Sequence, residues 1–107
     1  MKLPVVHGRH SERDIEAQVD YYLEQDALDA AGRFLDALDH FCDLVSDNPD
    51  MGTPYELDIE RLRHAEIRRW ALGHGFPHSI YYTWGEREVR ILRVLHGARD
   101  VPSAWEE

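Results

Sequence analysis

The chain of 107 residues predicts an α+β fold in the order β-α-α-β-β-β, a two-helix hairpin packed on one face of a small, mainly antiparallel sheet. Three observations carry that prediction. A short apolar run, Leu3 to His7, opens the chain. Two stretches of helical apolar periodicity follow between Glu12 and Val45, with only a brief break between them. Three extended segments rich in β-branched and aromatic residues then crowd into Ile67–Leu95.

Each element has its own cause. Pro4 lies near the start of Leu3–His7, where a first strand tolerates a residue that donates no ladder bond, and Gly8 ends the run. Ser11 with Asp14 three positions on, and Glu12 between them, predicts a helix start that satisfies free N–H groups and suits the dipole. Ile15, Val19, Tyr22 and Leu23 make the apolar stripe of a helix from Glu12 to Glu24, with Glu16 and Asp20 in water. Asp26 is the expected N-cap of a second helix, striped by Ala27, Ala31, Phe34, Leu38, Phe41 and Val45. The short connection makes the two helices antiparallel neighbours. Asp29, Asp36, Asp39 and Asp43 fall on the other side, where a solvated face is the ordinary reading and an acidic docking surface the alternative.

Asn48 and Pro49 stop the second helix, and Met51 to Pro54 continue in turn chemistry. Glu56 to Glu60 is acidic and irregular. Strands are expected over Ile67–Leu72 and Ser79–Trp84, joined through a connection from Gly73 to Pro77. Gly85 and Glu86 then turn the chain into VRILRVLHGARD, Val89 to Asp100, whose two-sided apolar run marks a central strand. His96 and Gly97 end it, Arg99 and Asp100 stand at its exit, and Val101–Glu107 is a tail carrying Pro102 and Trp105. Two helices cover one sheet face, leaving the other available to a partner.

Length allows one domain, 1–107, with a single core. The lone Cys42 excludes an internal disulfide and points to a reducing compartment, the cytoplasm. The start of the chain lacks the features of a signal peptide and no long apolar run follows, so no membrane association is expected. Net charge is −9, yet residues 1–60 hold fifteen Asp and Glu against four Lys and Arg, whereas residues 61–107 hold eight Arg against six acids. So acidic a chain is a poor polyphosphate ligand, and no direct DNA binding by the chain alone is expected. The arginines of the second half could still form a local patch for carboxylate or phosphate.

Chemistry-bearing motifs are few. The seven glycines form no phosphate loop. His7 with His10, and His74 with His78, lack a Cys or carboxylate set at zinc spacing, so neither metal nor cofactor is expected. Cys42 sits mid-helix among acids, which raises a thiol pKa and makes it a packing group. Arg61, Arg63, Arg68, Arg69 and Arg99 lie on or beside predicted strands and could converge over one face. RNA cleavage would further require proton-transfer groups; His64, His96 and Tyr82 could serve, though each reads equally as a structural polar residue.

The element order, Asp14-Ile15 opening helix one, Asn48-Pro49-Asp50-Met51-Gly52 after helix two, Leu62-Arg63 and above all LRVLHGARD from Leu92 to Asp100 resemble the RelE/ParE toxin superfamily, nearest its ParE branch. The resemblance spans nearly the whole chain. It implies the toxin half of a bacterial type II toxin–antitoxin pair, held in a hetero-oligomer by a ParD-like antitoxin whose flexible C-terminal segment wraps it. ParE-like members are described as poisoning DNA gyrase, and RelE-like members as cutting mRNA on the ribosome. The nucleases resemble one another in basic character and in a Tyr or His near the C-terminus. Here Trp105 stands in that tail, and an indole cannot exchange the required proton.

The expectation is therefore contact with gyrase without bond chemistry, through Arg90, Arg93, Arg99 and Trp105. Trp70, Tyr82, Trp84, Arg68 and Arg69 are expected to meet the antitoxin. The alternative is a RelE-like ribosome-dependent endonuclease using Arg61, Arg63 and Arg99.

Overall fold

Helical stripes and β-branched runs resolve, in the computed structural model, into β1 (Val5–His7), α1 (Arg9–Glu24), α2 (Leu28–Asp47), β2 (Thr53–Tyr55), β3 (Ile67–Gly73), β4 (Phe76–Trp84), β5 (Val89–His96) and α3 (Val101–Trp105). The structure describes residues 2–57, 66–97 and 101–105. The five strands form one sheet in the order β1-β5-β4-β3-β2, antiparallel except where β1 pairs parallel with β5. The α+β reading holds, and β5 lies inside the sheet as its two-sided apolar sequence requires.

The helix-covered face carries the larger core. Phe34, Leu38, Phe41 and Val45 of α2 meet Ile80, Tyr82, Ile91 and Val94, with Ile15, Val19 and Tyr22 of α1 packed alongside. Phe34 is the hub of an aromatic cluster, with edge contacts to Tyr22, Phe76 and His78 at centroid distances of 5.9, 5.4 and 5.1 Å. The opposite face is not bare. Leu57, Ile67, Tyr81, Leu95, Ala104 and Trp105 form a second, smaller cluster beneath α3.

Several elements depart from the sequence expectation. Helix α1 begins at Arg9, before Ser11, so Ser11 is a buried first-turn residue whose hydroxyl donates back to the Gly8 carbonyl at 3.0 Å. Asp26 adopts φ 55° in the interhelical turn, and Ala27 is the residue at the N-cap of α2. Thr53 and Pro54, expected as turn, join Tyr55 in the edge strand β2, a position that tolerates proline. The connection expected over Gly73–Pro77 shrinks to His74 and Gly75, both with positive φ (58° and 85°), the geometry of a two-residue hairpin turn. The tail forms one helical turn, α3.

Candidate functional site

Arg93, expected on the target-binding surface near the anchors Arg99 and Trp105, is only 5% exposed. Its position explains why. Strand β1 pairs with β5 only from Val89 to Ile91, so beyond Ile91 that side of β5 faces α1. Asp14 of α1 fills the gap: its Oδ2 accepts the Val94 N–H at 2.9 Å, replacing a ladder bond. The same carboxylate accepts two bonds from Arg93, Nε to Oδ2 and Nη2 to Oδ1, both 2.8 Å. This is the bidentate fork that a planar guanidinium and a carboxylate form best.

Arg93 then reaches the other sheet face, where Nη1 donates to the carbonyls of Ala104 (2.9 Å) and Trp105 (3.2 Å) at the end of α3. Carbonyls in the last turn of a helix lack the usual intrahelical donor, and a cation there suits the dipole. Trp105, itself expected as an anchor, is 6% exposed, edge-on to Tyr81 at 5.6 Å with the Arg93 guanidinium 6.0 Å from its ring. Arg93 and Trp105 thus belong to the structure beneath the C-terminal end and offer no free contact surface. Arg90 is exposed but bonded to Glu88 (Nη2 to Oε2, 2.9 Å) at the opposite end of β5. Six residues of strand, about 20 Å, separate it from His96. Arg61, Arg63, His64 and Arg99 lie outside the described residues.

The arginines of β3 do not converge. Arg68 and Arg69 are consecutive in a strand and so point to opposite faces. Arg68 turns to the loop after α2, its Nη1 donating to the carbonyls of Asp50 (3.1 Å) and Gly52 (2.6 Å). The Tyr82 hydroxyl closes the same knot, donating to the Pro49 carbonyl and accepting the Gly52 N–H, each at 2.8 Å. A Cβ on Gly52 would stand 2.7 Å from that hydroxyl oxygen, so only glycine fits there. Tyr82 is fully buried and therefore cannot present its side chain to a partner. Arg69 donates from Nε to Ser79 Oγ at 3.1 Å and, with Tyr55 and Trp70, lines a groove of about 330 Å³ where β2 ends along β3. Trp70 is half-buried against the main core, and Trp84 is 42% exposed.

A second groove, about 360 Å³, runs along the helical hairpin. Ile15, Val19 and Leu35 line it together with Glu12, Glu16 and Asp20, so it is apolar with an acidic rim.

Burial raises the pKa of Tyr81 and of Tyr82, which holds both phenols more firmly to their protons. Burial, and next the neighbouring His96, lowers that of His78, whose Nε2 lies 3.1 Å from Gln18 Oε1. Burial followed by the Asp39 and Asp43 charges pushes the Cys42 thiol up to about 11, against the character of a nucleophile. His74 stacks edge-on with His40 and His78 with Phe34, and His7 faces Ser11. Among the described residues no cluster of three or more His, Cys, Asp or Glu could hold a metal ion, and no helix is long and apolar enough to cross a membrane.

Sequence reasoning missed Asp14, which it read as part of a helix start. The available signal was Arg93 itself, a cation between Leu92 and Val94 in a central strand, where burial demands a partner.

Compared with known proteins, residues 9–101 match the family model for the ParE toxin of type II toxin–antitoxin system, parDE. The chain is also similar in structure to a chain of the chromosomal ParDE TA system from P. aeruginosa, at 16% identity and TM-score 0.67, covering 89% of this chain and 96% of that one. At that identity the likeness is one of fold. No curated relative matches.

Proposed function

The chain belongs to the family of ParE toxins of type II toxin–antitoxin systems, and from that premise we propose that it harms the cell by binding DNA gyrase. It makes and breaks no covalent bond, and a ParD-like antitoxin neutralises it in the cytoplasm. The observation that carries this reading is the state of Tyr82, one of three candidates for proton transfer beside His64 and His96. The Tyr82 hydroxyl is sealed under the Pro49–Gly52 loop with its proton held above the ordinary range. Trp105 stands in the tail where, by resemblance, the family's nucleases carry a Tyr or His, and an indole cannot exchange the required proton.

The target surface in this reading is the C-terminal end, with Arg99 as its charge contact, while buried Arg93 and Trp105 serve to hold α3. Arg90, at the far end of β5, falls outside that patch. Antitoxin contact is proposed at the groove formed by Tyr55, Arg69 and Trp70. Arg69 would meet an acidic residue there, and exposed Trp84 would serve as an apolar anchor. The acid-rimmed helical groove would accept an apolar helix flanked by basic residues.

Purified toxin should be added in parallel to translating ribosomes, with message ends mapped, and to gyrase in a supercoiling assay. Loss of supercoiling with intact message is the expected result. Codon-specific cleavage with gyrase unaffected would overturn the proposal.

A further inference from the structure

Helix α3 spans five residues, far too few for a helix to hold itself in water, so its position is set by what it touches. Among the described residues, two sets of contacts bear on that position. The Trp105 ring and Ala104 rest on the small apolar cluster of Tyr81, Leu95, Leu57 and Ile67. Its final carbonyls are held by a single nitrogen, Nη1 of Arg93. Apolar contact is non-directional and would tolerate sliding; two charge-assisted bonds to one guanidinium fix the end of the helix in place.

That guanidinium has no freedom of its own. Nε and Nη2 are both committed to Asp14, whose Oδ2 is in turn tied to the backbone of β5 at Val94. A side-chain chain therefore runs from α1, across β5, to the last turn of α3, with sequence separations of 79 and 11 residues between its members.

We propose that Asp14 is the positioning residue for the C-terminal end: it orients Arg93, and Arg93 sets where α3 sits. The step from position to toxicity rests on the reading of that end as the target surface; the docking of α3 by Asp14 does not.

The test uses the full chain carrying Asp14→Asn together with Arg93→Met. The amide oxygen retains an acceptor for Val94, and the double change leaves no buried charge unpaired, whereas each single change strands one partner of the pair. Hydrogen exchange should show the amides of Ala104 and Trp105 exchanging at least tenfold faster than in the parent, with α2 and β4 protection retained. Unchanged protection at those two amides would overturn the proposal. Induced without antitoxin, the double variant should lose growth arrest at least tenfold in surviving colonies while still co-purifying with antitoxin. Full growth arrest from a variant whose α3 has come loose would overturn the link to toxicity. A parent that arrests growth but leaves gyrase untouched would remove the gyrase reading alone, since the exchange and survival results stand without it.

Discussion

The two faces of the sheet are built on different physics. Under α1 and α2 lies a broad apolar cluster centred on Phe34, Phe41, Tyr82 and Ile91, held by the removal of many large side chains from water. Under α3 lies a small cluster whose cover is a single helical turn fastened through Arg93, which makes two hydrogen bonds to its carbonyls and two to Asp14. The first face resists local change because each residue is backed by neighbours in every direction. The second concentrates its integrity in Asp14 and Arg93, so one substitution can release an element there without dissolving the rest.

The largest effect should come from the first face. Phe34→Ala removes the hub of the aromatic cluster and should cost about 4 kcal/mol, read by chemical denaturation, with all probes moving together. Next, Arg93→Met alone strands the Asp14 carboxylate in a buried site and should cost about 3 kcal/mol. Its signature sharpens the comparison, because exchange protection of α3 should vanish before that of β4. Tyr82→Phe leaves the Gly52 N–H and the Pro49 carbonyl without their partner and should cost about 2 kcal/mol.

The smallest effect is one of pH. The His78 pKa is lowered in the folded protein, so between its ordinary value of about 6.5 and that lower value the unfolded chain binds more protons. Stability should be flat above that window and fall as pH drops through it. His78→Gln should remove the slope, measured by denaturation midpoints across the range. A parent whose midpoint does not move would contradict the buried neutral histidine.

The elements with strong periodicity were legible in the sequence. The stripe from Ala27 to Val45 and the run Val89–Leu95 each state a period and a burial side without help from the rest of the chain. The short elements were not. A three-residue strand containing Pro54 looks like a turn until β3 supplies its partner, and a single helical turn at Val101–Trp105 has no period to read. The site was the least legible. Arg93 and Trp105 carry the residue types of interface anchors, but their burial depends on Asp14, far away in sequence, and on the fold bringing α1 beside the unpaired side of β5. A carboxylate three residues after a serine reads locally as a cap, and only the tertiary structure shows that it holds the other end of the molecule.

Toxicity by adhesion, as proposed, can be tested by mixing the purified chain with gyrase in the presence of RNA and measuring the mass of what co-elutes by light scattering. A stable complex of toxin and gyrase that antitoxin dissolves, with the RNA recovered at full length, is the expected result. Toxin eluting apart from gyrase beside shortened RNA would contradict it.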